Sequence, residues 1–188
     1  MKRLKITRKK KTLLYSEASE EKRAAFLKRL KRVPKNKRVY IDEMGIAIFL
    51  IRLFAYALRG QPVYDKVRGR RYDRLNVIGA LCNGRHIGVK CYRHSTDSAF
   101  FEAWFLELLS LIPKGCTIIM DNASFHRKKA LRKLARGRVK LLFLPPYSPD
   151  FNKIEKSLAN AKSHLRNHLR DPQTLEEAIL DYFKSENN

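Results

Sequence analysis

Hydrophobic and polar positions along the chain alternate between short apolar runs and amphipathic stretches. Val39-Tyr40-Ile41 is a β-type run that ends at Asp42-Glu43, and Ile46 to Ile51 is a second one beyond Gly45. Asn76 to Leu81 and His86 to Tyr92 read as a third and fourth strand, joined by a turn at Asn83-Gly84. Asp97 or Ser98 then caps a helix with Phe101, Phe105, Leu108, Leu109 and Ile112 on one side, stopped by Pro113-Lys114-Gly115. Thr117 to Met120 is uninterruptedly apolar, as in a strand buried on both faces. Ser124 to Arg136 predicts a basic helix closed by Gly137. Val139 to Leu144 predicts another buried strand, ended by Pro145-Pro146. Ile154 to Leu169 and Leu175 to Phe183 predict two last helices. Strands come first, then helices and strands alternate, which implies an α/β layer structure with a mixed sheet over residues 39–188.

Ahead of this body, Ser16 or Ser19 caps a helix with a narrow stripe of Ala24, Ala25, Phe26, Leu27 and Leu30, ended by Pro34. Residues 1–38 therefore read as a basic arm and helix that lead into the domain without joining its core. The plainer alternative is a solvated, mobile terminus.

Charge changes the picture. Of 188 residues, 41 are Lys or Arg and 18 are Asp or Glu, a net charge of +23. Residues 1–38 alone hold 16 of the basic residues and 3 of the acids. With 44% hydrophobic residues the chain can build a core, so it is not a disordered basic tail. Such self-repulsion is out of keeping with a neutral metabolic enzyme and points to a polyanionic partner. Cys82, Cys91 and Cys116 are widely spaced, which argues against a disulfide framework or a thiolate zinc site and for a reducing, cytoplasmic setting. The most apolar run, Ile46 to Leu58, is interrupted by Arg52 and too short to cross a bilayer, so no membrane association is expected.

In so basic a chain, the placement of the acids is informative. Asp42 and Asp121 each follow an apolar strand run, where α/β sheets place their ligands, and Glu155 starts the helix after the last strand. Three carboxylates converging at one sheet edge repel one another and call for a cation. An all-oxygen donor set suits Mg²⁺ or Mn²⁺, and a pair of such ions supports phosphodiester cleavage. The competing reading makes each acid an ordinary strand-end or cap residue.

Asp121-Asn122-Ala123-Ser124-Phe125-His126, followed by the run Leu144 to Glu155 (LPPYSPDFNKIE), resembles the catalytic core of mariner-type DDE transposases, and of their bacterial insertion-sequence branch in particular. Ile41-Asp42-Glu43-Met44-Gly45 is similar to the first acidic motif of that family, and Asn76 to Leu81 to its next strand. Thirty-three residues separate Asp121 from Glu155, a spacing consistent with that branch. The resemblance implies a ribonuclease H-like fold, a five-stranded mixed sheet flanked by helices. It implies Asp42, Asp121 and Glu155 as catalytic residues holding two Mg²⁺ or Mn²⁺ ions. The activity implied is cleavage of transposon-end DNA and joining of the freed 3′-hydroxyl to target DNA, usually at TA. The partners implied are the inverted-repeat ends, target DNA and a second copy of the chain, with a nucleoid-associated location. The alternative is an inactive or truncated remnant that only binds DNA.

Other residues near the motifs carry open readings. Glu43 points to the strand face opposite Asp42, either supporting the site or capping the turn. Asn122 orients Asp121 or touches DNA, and Asn152 caps the Glu155 helix or acts directly. His126 touches a phosphate, orders the site or simply packs. Lys128, Lys129, Arg132 and Lys133 on one helix, with Lys156, Lys162 and Arg166 on another, flank a DNA channel or form solvated faces. Trp104, with Phe101 and Phe105, is expected to pack in the core rather than stack on bases. His164 and His168 have metal-ligand spacing but no third ligand.

Two departures stand out. Full-length relatives carry helix-turn-helix domains ahead of the catalytic core, whereas this sequence starts at a basic stretch, Lys2 to Lys11. A truncated copy, or a second frame joined by frameshifting to an upstream helix-turn-helix frame, is the expectation. Lys153 stands where relatives commonly have proline, and Ser157-Leu158 where many have bulky aromatics, so looser packing of the Glu155 helix is expected.

Overall fold

The computed structural model describes residues 15–47, 56–64, 74–168 and 175–187, with the side chain of residue 168 excepted. The stretch Lys2 to Lys11, Arg52 and Leu169 lie outside these residues.

Five strands form one mixed sheet in the order β3-β2-β1-β4-β5. They are β1 (Arg38–Ala47), β2 (Arg74–Cys82), β3 (Arg85–Tyr92), β4 (Thr117–Met120) and β5 (Lys140–Phe143). The first three make an antiparallel meander, and β4 and β5 add to β1 in parallel. Asn83 and Gly84 both take positive φ, 52° and 82°, as the tight β2–β3 hairpin requires.

Helices cover both faces. On one face α2 (Ser98–Leu111) and α3 (Lys128–Ala135) pack Phe101, Trp104, Phe105, Leu108 and Leu131 against Val39, Ile41, Ile118 and Met120. Asp97 caps α2 by accepting the Phe100 amide at 2.8 Å, and the Trp104 indole donates to Gly88 O at 2.7 Å from within this core. On the other face α4 (Ile154–His168) and α5 (Leu175–Ser185) pack Ile154, Leu158, Ala161, Leu165 and Ile179 against Tyr40, Met44, Ile46 and Ile119.

Four expectations change. First, Val39–Ile41 and Ile46–Ile51 are not two strands with Asp42 at the end of the first. β1 runs unbroken from Arg38 to Ala47, because β2 pairs with it across Asp42, Glu43 and Gly45 as far as Ala47↔Arg74. Residues 48–51 lie outside the described residues. Second, the N-terminal helix α1 (Glu20–Lys31) joins the core: Phe26 and Leu30 are buried with the α4 side chains. Its stripe is narrow, but two residues at i, i+4 on one face suffice to dock it. Ser19 is its cap, accepting the Lys22 amide at 3.3 Å. Third, α3 begins at Lys128 rather than Ser124. Residues 123–127 instead form turns closed by His126 N→Ala123 O and Arg127 N→Phe125 O bonds. Fourth, the Glu155 helix is not loosely packed. Leu158 is 5% exposed, and Ser157 Oγ lies 2.6 Å from His86 Nε2, so smaller residues are accommodated by burial and one hydrogen bond.

Among the described residues no helix is long and apolar enough to cross a membrane, and all three cysteines are free.

Candidate active site

The parallel ladder between β1 and β4 ends at Tyr40↔Ile119. Carried two residues further, the same register sets Asp42 beside Asp121. What brings the two together is thus the end of β4, not the end of β1. From Asp42 onward β1 has β2 on one side and no strand on the other among the described residues. Strand alternation places Asp42 on the face of Tyr40 and Met44, toward α4, where Glu155 sits in the first turn. Asp42, Asp121 and Glu155 line one cleft of about 480 Å³, together with Asn122, Asn152 and the Pro145–Pro149 turn.

Glu155 is delivered by the loop after β5. Pro145-Pro146 stops the strand, and Tyr147 follows at φ 54°, an uncommon conformation for a non-glycine residue. Asn152 then does two things. Its carbonyl accepts the Glu155 amide at 3.1 Å, and its buried side chain donates from Nδ2 to Ile41 O, also at 3.1 Å. The side chain does not cap α4; it ties the start of α4 to the β1 residue next to Asp42. Arg23 of α1 fastens the same loop, with a bidentate pair to Asp150 at 2.9 and 2.7 Å and its guanidinium 4.1 Å from the Phe151 ring centre. Lys153 is exposed, with its amine 6.0 Å from the Tyr40 ring centre.

Glu43 points the other way, as strand alternation requires, and meets His126. The His126 ring is wedged against Phe101 and Phe125, with ring centres 4.1 and 4.5 Å away. Its Nδ1 lies 3.1 Å from Asp121 Oδ1, and its Nε2 lies 3.6 Å from Glu43 Oε1, an ion-pair contact longer than a hydrogen bond. His126 therefore packs and also stands between Asp121 and Glu43. Sequence reasoning named both residues but not their connection, for which the strand alternation at Glu43 was the one available signal.

The electrostatics follow from this arrangement. Burial, together with the charges of Glu43, Glu155 and Asp121, pushes the Asp42 carboxyl up to about 7, against the Glu43 amide that donates to it at 2.9 Å. Glu155 is also raised, first by desolvation and then by Asp150 and Asp121. Desolvation raises Asp121 too, but the His126 bond and charge and the Ala123 amide outweigh it and hold that carboxyl low. Burial disfavours charge on His126; Asp121 and Glu43 overcome it and push the ring up to about 9.

Around the carboxylates stand cations. Lys162 shares a trench of about 720 Å³ with Asp42, Glu43 and Glu155. Lys128 and Lys129 line a separate groove with Asn122 and His126. Lys128 and Arg132 also lie 5.2 and 6.0 Å from the Phe143 ring centre. His164 packs on Tyr182, with ring centres 5.0 Å apart, and the His168 side chain is outside the described residues. Among the described residues no three acidic, histidine or cysteine side chains are drawn together closely enough to hold an ion as they stand.

Residues 37–178 match the DDE superfamily endonucleases, and the chain belongs to that family. Its fold is that of the Mos1 mariner transposase catalytic domain. A structure of that domain is similar at a TM-score of 0.58 and 13% identity, covering 94% of this chain and 97% of that one. The Mos1 paired-end complex with left transposon end is similar at 0.63 and 16% identity, covering 100% of this chain and 68% of that one. A Mos1 mariner paired end complex with Mn is similar at 0.61 and 15%, covering 100% and 69%. No curated protein matches the chain in sequence.

Proposed function

We propose that this chain is the catalytic domain of a DDE transposase that cuts DNA at transposon ends and joins the freed 3′-hydroxyls to target DNA, at TA dinucleotides. The observation that carries the proposal is the cleft itself: Asp42, Asp121 and Glu155, from two parallel neighbours and the first turn of α4, line one cavity in a chain of this family. The reaction needs no covalent protein intermediate. A water oxygen bonds to phosphorus as the P–O3′ bond breaks, leaving a 3′-hydroxyl and a 5′-phosphate. That hydroxyl then attacks a target phosphodiester and displaces its 3′ oxygen, so bonds formed and broken balance.

The donor set fits a divalent cation. It is all oxygen, and the Asp42 carboxyl, raised first by burial and then by the charges of Glu43, Glu155 and Asp121, is one whose ionised form a cation would favour. Asp42, Asp121 and Glu155 would hold two Mg²⁺ or Mn²⁺ ions. When bound, such ions activate water and stabilise the leaving oxygen. The chain's own part is to hold the carboxylates. Asn152 sets the α4 start against β1, and the Glu43–His126 pair fixes Asp121. Asn122, Lys128, Lys129, Arg132 and Lys162 face the DNA. Two DNA ends call for two copies of the chain. Action on DNA places the protein in the cytoplasm with the nucleoid.

The test is a cleavage and strand-transfer assay in Mn²⁺ with DNA ending in candidate inverted repeats and a TA-containing target. Cleavage and joining that Asp121→Asn abolishes while DNA binding persists are the expected result. Cleavage without joining would mark a nuclease of the same fold. Binding without cleavage would reduce the chain to a basic DNA-binding protein.

A further inference from the structure

The open edge of β1 carries a feature that the carboxylate chemistry does not use. Gly45 lies on that edge, three residues past Asp42, and Arg74 enters from β2 on the far side of the strand. A methyl group on Gly45 would overlap the Arg74 guanidinium, at Nε, Cζ and Nη2 alike. The guanidinium thus lies flat on the glycine backbone, in the space any other residue would fill. Only a glycine lets this arginine cross β1 and reach the trench on its open edge. That trench, about 720 Å³, is lined by Asp42, Glu43 and Glu155 as well as by Arg74 and Lys162.

Arg74 has no carboxylate within ion-pair distance among the described residues. The other cation of the trench, Lys162 on α4, is partly desolvated, with Arg74 and Arg166 as like-charged neighbours. Asp42 also acts on Lys162, yet neither cation forms an ion pair among the described residues, and two cations held near each other in this way suit an anion brought from outside. A phosphodiester offers two oxygens to the planar fork of an arginine and a single charge to a lysine. The trench also opens beside the carboxylates, so a bound phosphate there belongs to the strand being cut.

We infer that Arg74, seated on Gly45, forms with Lys162 a phosphate clamp for the DNA backbone next to the phosphate under attack. This rests on the nucleolytic reading of the carboxylates, but DNA binding reads it out separately. Gly45 acts as a positioning residue, since it touches the arginine and not the DNA.

The test measures binding of the full chain to a short labelled DNA duplex by fluorescence anisotropy in Ca²⁺ at several salt concentrations. Parallel assays in Mn²⁺ follow cleavage. Loss of one phosphate contact should lower the slope of log affinity against log salt by about 0.9, which at about 0.1 M salt is roughly an eightfold weakening. Arg74→Ala should show this loss. Gly45→Ala should show the same loss with every charge retained, because it displaces only the flexible end of Arg74. The double variant should be no weaker than either single one. Arg74→Lys should recover part of the affinity. Wild-type affinity and slope in Arg74→Ala, or additive losses in the double variant, would overturn the clamp. Arg74 is exposed, so its replacement keeps the fold testable even if Gly45→Ala folds poorly. If the wild-type chain does not cleave while Arg74→Ala still lowers the slope, the nuclease reading fails and the clamp stands. If the wild-type chain cleaves and both variants match it in binding and cleavage, the clamp fails alone.

Discussion

His126 shows how one side chain connects two strands that the sequence keeps apart. It is buried between aromatic rings, touches Asp121 through one nitrogen and Glu43 through the other, and is charged because both partners are carboxylates. The charge has a sign that can be measured. The folded His126 is raised to about 9 from 6.5, so its contribution to stability is fully present below 6.5 and is lost as pH rises through about 9. Asp42 is raised to about 7 from 3.8, so the folded chain favours its protonated form and stability falls as pH rises across that interval. The metal-free protein should therefore show urea midpoints that decline from acid to alkaline pH. His126→Gln should remove the decline between about 6.5 and 9 while keeping the part below 7. An unchanged alkaline limb in that variant would dissociate the effect from His126.

At the scale of elements, the site depends on how α1, the β5–α4 loop and β1 are fastened to one another. Asn152 ties the loop to Ile41 O, and Arg23 ties it to α1 through Asp150 and Phe151. The Arg23 and Asp150 side chains are 12% and 36% exposed, so solvent screens the pair and its value is that of a well-formed surface bridge. Arg23→Ala should cost about 0.5–1 kcal/mol in urea denaturation. A double-mutant cycle with Asp150→Ala should return a coupling of similar size. Zero coupling would mean the loop is held by packing alone. The helix content of α1, α2 and α4 was legible from caps and apolar spacing. The docking of α1 was not, because a two-residue stripe in a strongly basic segment reads equally well as a solvated arm. The start of α3 was misplaced for a related reason: Ser124 has the right chemistry for a cap, yet tight turns through residues 123–127 carry His126 into the site.

For the whole molecule, the +23 charge and the acidic cleft divide the work. Arg74 and Lys162 border the trench that contains Asp42, Glu43 and Glu155, and Lys128 and Lys129 line a neighbouring groove with Asn122 and His126. If about six phosphates are neutralised, affinity for nonspecific DNA should fall about a thousandfold between about 50 and 200 mM salt. Asp121→Asn should follow the same salt dependence, since it removes an acid and no cation. Binding insensitive to salt, measured by anisotropy, would refute this division.

The sequence by itself determined the β-type runs from which the sheet is built, though it divided β1 in two, which faces of the helices are apolar, and which three carboxylates stand at the ends of strand runs or the start of a helix. All of these follow from local periodicity and from motifs read along the chain. Only the tertiary structure decided that β1 continues past Asp42 while β4 stops, that α1 belongs to the core, that His126 bridges Glu43 to Asp121, and that Arg74 crosses over Gly45. Each of those depends on register and contact between residues far apart in sequence. A period of two or of 3.6 specifies which side of an element is buried, but not which residue of a neighbouring element it meets.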